Sequence, residues 1–117
     1  MKIITNNNQS VAIVARSYRL DGVQDILDLM GDIWAQGCSG MIVDKQCLNE
    51  SFFDLKTGLA GAILQKFSNY RLRLAIVGDV SGYAGKSLRD FIYECNRGSL
   101  ICFKNSTEAA LEALTSA

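Results

Sequence analysis

The chain has 117 residues, 49% hydrophobic and 21% charged, with 12 basic and 12 acidic side chains and a formal net charge of zero. That length suits one domain, the apolar content excludes disorder, and the balanced charge lacks the basic excess of a nucleic-acid or anionic-membrane binder. With no histidine, Ser-His-Asp and Cys-His nucleophile systems are excluded, as is any histidine acid or base.

Ile3-Ile4-Thr5 and Val11-Ala12-Ile13-Val14-Ala15 are β-rich runs flanking Asn6-Asn7-Asn8-Gln9-Ser10. Asparagine tolerates left-handed backbone, so this reads as a hairpin. Asp21-Gly22 opens a helix in which Val23, Ile26, Leu27, Met30, Ile33 and Trp34 recur at three- and four-residue intervals, with Gln24, Asp25, Asp28 and Asp32 opposite and Gly37 as the stop. Gly40-Met41-Ile42-Val43-Asp44 has the continuous apolar pattern of a strand buried on both faces. Past a loop through Gln46, Cys47, Leu48 and Asn49, Ser51-Phe52-Phe53-Asp54 has the S-x-x-D form of a helix start. Leu55, Leu59, Ala62, Ile63 and Phe67 form its apolar stripe, and close packing on the sheet would account for Gly58 and Gly61. Leu72 to Val77 is a strand ending in Gly78-Asp79, and Ser87-Leu88-Arg89-Asp90 repeats the S-x-x-D start. Leu88, Phe91, Ile92 and Cys95 supply the next helical face, stopped by Gly98. Leu100-Ile101-Cys102-Phe103 is the last strand, and Asn105-Ser106-Thr107-Glu108 caps a helix carrying Ala109, Ala110, Leu111 and Leu114.

The order β-β-α-β-α-β-α-β-α implies a single α/β domain over residues 1–117. Its sheet should be five-stranded, mixed and mostly parallel, with an N-terminal hairpin as antiparallel edge and about four helices.

Three constellations carry chemical potential. Gly78-Asp79-Val80-Ser81-Gly82-Tyr83-Ala84-Gly85-Lys86-Ser87 lies between a strand and a helix and ends in the G-K-S of a phosphate-binding loop. The glycine which that loop requires five residues before Gly85 is replaced by Val80. Two readings remain: a loop capped by Ser87, or helix-terminal amides that hold a lone anion with Lys86. Asp44 and Asp79 end two parallel strands, where ligands collect. Facing one crevice they would bind magnesium or do acid–base work; otherwise they cap turns.

The third constellation is Asp54-Leu55-Lys56-Thr57-Gly58-Leu59, after the strand 41–44. These residues and the element order resemble STAS domains, the anti-sigma-factor antagonists, whose D-S-[ST]-G-L motif opens the corresponding helix. The resemblance implies a STAS-like fold and makes Thr57 the phosphoacceptor. Asp54 departs from the motif by standing three residues before Thr57 instead of two, and Lys56 replaces the motif's serine. A threonine hydroxyl bonded back onto its own turn is the other reading. Phe52 to Gly61, Ser87 to Glu94, and Lys66 to Arg71 with the strand after it are similar to the domain of unknown function 4180 family of bacterial proteins. That resemblance covers nearly the whole chain and implies no activity.

Cys38, Cys47, Cys95 and Cys102 show no C-x-x-C spacing, so reduced, metal-free thiols are expected, with Cys95 and Cys102 on apolar faces. Met1-Lys2-Ile3-Ile4-Thr5 lacks a signal peptide's core, and no apolar run reaches the roughly 18–20 residues of a membrane span. A cytoplasmic protein without cofactor, nucleic acid or membrane as partner is the expectation.

The functional expectation is a regulatory module that binds another protein. Its working face would combine Thr57 as regulatory position with Asp44, Asp54, Asp79, Ser81, Lys86 and Ser87 around the Ser81–Ser87 loop. The rival is a small enzyme or anion binder using Asp44, Asp79, Lys86 and Ser87. A homodimer anchored by Trp34, Tyr83 or Tyr93 is a third reading.

Overall fold

Asn7 and Asn8 both adopt left-handed backbone, with φ of 52° and 63°, so a two-residue turn joins the first strands. A turn with two positive φ values matches the twist of a hairpin. The chain is seen in a computed structural model that describes residues 1–83 and 85–116. β1 (Lys2–Asn6) and β2 (Gln9–Ile13) pair antiparallel through five positions. There follow α1 (Val23–Ala35), β3 (Gly40–Asp44), α2 (Leu59–Tyr70), β4 (Arg73–Val77), α3 (Lys86–Arg97), β5 (Ile101–Lys104) and α4 (Thr107–Thr115). The sheet order is β1-β2-β3-β4-β5, with β2 to β5 parallel. The expected mixed five-stranded sheet with an opening hairpin and four helices is therefore what the chain forms; Ala117 lies outside the described residues.

Alternation along the central strands divides two apolar layers. Ala12, Met41, Val43, Leu74, Ile76, Ile101 and Phe103 point to one face, where they meet Ile26, Met30 and Ile33 of α1, Ile63 and Phe67 of α2 and Leu88 of α3. Val11, Ile42, Ala75, Val77 and Cys102 point to the other, under Ala110 and Leu114 of α4. Three successive parallel crossovers between neighbouring strands put their helices on one side when they share a hand. Among the described residues α4 alone covers the second face, and Arg73 fastens it: Nη1 donates to the Leu114 carbonyl at 3.1 Å and Nη2 to that of Ala113 at 2.9 Å. Ser106 caps α4 through its hydroxyl, which accepts from the Ala109 amide.

Several expectations need correction. No helix starts at Ser51. Three single 3₁₀ turns intervene, at Lys45–Cys47, Glu50–Phe53 and Leu55–Thr57, and α2 begins only at Leu59. Asn49 accepts from the Ser51 amide and Asp54 from the Lys56 amide, giving the backbone a local alternative to the helix. The segment also carries two consecutive phenylalanines inward, Phe52 at 1% and Phe53 at 6% exposure. Gly58 and Gly61 do not serve close packing, since a Cβ at either meets nothing within 4 Å. Gly58 has φ 75°, the left-handed conformation through which the third turn enters α2. Ser87 caps nothing: α3 follows Gly85 as its N-cap, with no side-chain hydrogen bond. Trp34 is 64% exposed, and Leu29 takes its expected place in the core.

Candidate functional site

The carboxyl ends of β3 and β4 lie side by side, and the segments leaving them build the site. At the first exit the Asp44 carboxylate accepts from the Gln46 amide at 3.0 Å and pairs with Arg16 Nε at 3.1 Å. Lys45 crosses to the second exit. Its Nζ donates to the Asp79 carbonyl at 2.7 Å and stands 5.0 Å from the centroid of the Tyr83 ring. Gly78 is the residue that admits this crossing, because a Cβ there would lie 2.9 Å from Lys45 Cβ. The Asp79 carboxylate accepts from both the hydroxyl and the amide of Ser81. These two bonds, with help from Lys45, hold its carboxyl below the usual carboxylate range.

Tyr83 closes the arrangement. Its ring stacks on Phe53 at 4.8 Å between centroids and 13° between planes, and its hydroxyl donates to Glu50 Oε2 at 3.3 Å. Burial first, and then Glu50, push the phenol pKa up, so it stays a donor at neutral pH. Stacking contributes about 0.5–1.5 kcal/mol beyond area burial. The Lys45–Tyr83–Phe53 column thus clips the loop after β4 to the turns after β3.

Beside the column opens a cleft of about 490 Å³. One wall is Phe53, Asp54, Leu55 and Lys56 from the 3₁₀ turns; the other is Tyr83, Gly85, Ser87 and Leu88 from the entry to α3. Thr57 sits on the turn behind Lys56 and is exposed, but its hydroxyl is engaged. Oγ1 lies 2.6 Å from the Ser51 carbonyl and 2.9 Å from that of Asp54, so its one proton serves this pair, and it accepts from the Leu59 amide at 3.2 Å. This hydroxyl locks the turn and helps cap α2, a place outside the helix interior where back-bonding was expected.

The structure brings Asp54 and Ser87 together as opposite walls of one cleft. Asp79 and Ser81 belong to the neighbouring loop, held through Lys45. Ala84, within the loop expected at Ser81–Ser87, lies outside the described residues. Asp44 lines a separate hollow of about 240 Å³ with Arg16, Val77 and Thr107. Lys86 donates to Asp90 at 2.8 Å, one helical turn along, and this contact raises its pKa. Asp44, Asp79, Lys86 and Ser87 therefore do not converge. Each aspartate instead caps a turn.

The sequence reading missed Phe53, Leu55, Lys56 and Leu88 as cleft residues and Lys45 as the bridge. One signal was available: Tyr83 is an aromatic stranded among glycines and serines, which a merely flexible loop does not require. All four cysteines are free thiols. Among the described residues, no group of three or more His, Cys, Asp or Glu is placed to hold a metal. Among the described residues, no helix is long and apolar enough to cross a membrane.

The family model described as Domain of unknown function (DUF4180) matches residues 5–114 of the chain. No curated protein and no solved structure matches it.

Proposed function

Since the chain belongs to the DUF4180 family, a domain of unknown function with no activity to hand on, we propose from its geometry that it is a regulatory protein-binding module. The carrying observation is the cleft between the Phe53–Lys56 turns and the Tyr83–Leu88 segment, apolar in its walls and open at the carboxyl edge of the sheet. Such a cleft suits one apolar anchor side chain of a partner protein. Asp54 turns Oδ1 of its carboxylate to the Lys56 amide, while the Lys56 ammonium has no carboxylate within salt-bridge distance among the described residues. The partner segment therefore sets an acidic residue beside its apolar anchor, to meet Lys56. The rival enzyme reading needs Asp44, Asp79, Lys86 and Ser87 in one place, and nothing in the geometry favours it.

In this reading Thr57 is the regulatory position, consistent with a STAS-like architecture in a bacterial, cytoplasmic protein. A kinase would transfer the terminal phosphoryl group of a nucleoside triphosphate to Oγ1, releasing the diphosphate and the hydroxyl proton. That proton is the one that holds Ser51 and Asp54. Phosphorylation would thus place about −2 charge against two carbonyl oxygens and open the turn that carries Leu55 and Lys56. The test is affinity capture from cells expressing the protein, quantified by mass spectrometry for wild type, Leu55→Asp, Lys56→Glu and Thr57→Glu. A partner held by wild type and lost from all three folded variants supports the proposal. A partner held equally by all four sinks it.

A further inference from the structure

The two edges of the sheet are finished differently. On β5, Leu74 donates to the Leu100 carbonyl and Gly78 to that of Lys104, so alternate residues face β4 and Phe103 turns its N–H outward. Asn96 of α3 covers that donor, its Oδ1 accepting from the Phe103 amide at 2.7 Å. On the far side, Ser10 accepts from Ser39 and Val14 donates to Ile42, so Ser10, Ala12 and Val14 face β3. Gln9, Val11 and Ile13 are left to bond Asn6, Ile4 and Lys2 of β1. The N–H and C=O groups of Ile3 and Thr5 therefore point away from the sheet. Among the described residues no side chain covers them. β1 has no bulge in its register and contains no proline, and Ile3 is 39% exposed. Its end is held in place, since Asn6 Nδ2 donates to Thr115 Oγ1 at 3.2 Å and Asn7 Nδ2 to the Thr115 carbonyl at 2.9 Å.

We propose that this open edge pairs with the β1 edge of a second copy of the chain, antiparallel about a two-fold axis at Ile4, to make one continuous sheet. The strand is self-complementary in that register. Ile3 of each copy exchanges both main-chain hydrogen bonds with Thr5 of the other, and Ile4 meets Ile4 in the closer, non-hydrogen-bonded pairing. Lys2 falls opposite the uncharged Asn6, so no like charges meet. Centring the axis on Ile3 or Thr5 leaves part of the strand unpaired; centring on Ile4 uses all of Lys2–Asn6. An isologous contact of this kind closes on itself as a dimer.

Sedimentation velocity over a concentration series and amide hydrogen exchange at its two ends test the pairing. The expected result is a dimer fraction that grows with concentration while the Ile3 and Thr5 amides slow in step. Thr5→Pro removes an outward donor without touching a β2 bond, which edge strands tolerate. It should weaken dimerisation by roughly tenfold or more, one donor being lost from each copy. Ile4→Lys sets like charges across the axis and should do the same, with folding of both variants checked by circular dichroism. Wild type that remains a monomer up to about 1 mM overturns the proposal. A dimer that survives both variants, or a wild-type dimer whose Ile3 and Thr5 amides stay unprotected, overturns it equally, and would point to another face, such as the exposed Trp34 and Tyr70.

Discussion

The same substitution should act with opposite sign at two glycines, and the reason lies in the backbone. Gly78 has φ 146°, a conformation that L residues rarely adopt, and a Cβ there would stand 2.9 Å from Lys45 Cβ. Forcing alanine into it costs about 1–3 kcal/mol in strain, against about 0.4–1 kcal/mol regained from a stiffer unfolded chain. The clash falls on the root of the Lys45 side chain, so relief means moving Lys45 itself. That forfeits its bond to the Asp79 carbonyl and its place over Tyr83, each worth about 0.5–1.5 kcal/mol. Gly78→Ala should therefore destabilise by about 2–4 kcal/mol. Gly61 lies exposed within α2 on ordinary helical backbone, and a Cβ there would meet nothing within 4 Å. Gly61→Ala should stabilise by about 0.5–1 kcal/mol. Urea denaturation of both, at unchanged m, gives the difference directly. A Gly78→Ala midpoint at or above that of wild type, or a Gly61→Ala midpoint clearly below it, would refute the reasoning.

Arg73→Ala should cost about 2–3 kcal/mol, since it removes charged donors from the Ser99, Ala113 and Leu114 carbonyls. Arg73→Lys should recover less than half of this in the same urea assay, because an ammonium cannot reproduce the fork. Thr57→Val should lower stability by about 1–2 kcal/mol while Thr57→Ser stays near wild type; equal midpoints for the two would deny the hydroxyl its structural role. Burial pushes the Cys95 thiol up from 9.0 to about 11, and burial raises Cys38, Cys47 and Cys102 as well. The folded state thus holds these protons more tightly, so their contribution is intact below about pH 9 and is lost as pH rises toward about 11. Urea midpoints measured from pH 7 to 11 should fall only above about 9, and alkylation of Cys95 at pH 8 should be slow.

What could be read from the sequence follows the reach of the forces involved. β3 and β4 were legible because strands buried on both faces need apolar residues at nearly every position, a signal contained within five residues. α1 and its stop at Gly37 were legible because periodicity and a left-handed C-terminal glycine are local too. The start of α2 was not. Ser51 and Asp54 have the spacing of a capping box, but Asn49, two residues before Ser51, captures its amide and hydroxyl first. Two side chains competing for one donor leave no trace in a periodicity count. The second S-x-x-D start misled for a different reason: Lys86 and Asp90 pair along the helix, and Gly85 alone provides the entry.

The cleft is harder still, because no segment encodes it. Phe53 and Tyr83 lie thirty residues apart and meet only because β3 and β4 are neighbours whose exits are bridged by Lys45. Acidic strand ends drew the sequence reading, since carboxylates at that edge often serve a ligand. In the fold, Asp44, Asp54 and Asp79 each accept an amide two residues on, and the turns they form decide where Leu55 and Tyr83 go. Asp44 and Asp79 thereby matter to the site without lining it, whereas Asp54 both shapes a wall and lines it. Substituting any of them should reshape the cleft by releasing a turn, whereas substituting Lys56, whose backbone amide and not its side chain holds the turn, should leave the turns intact and change chiefly what the cleft attracts.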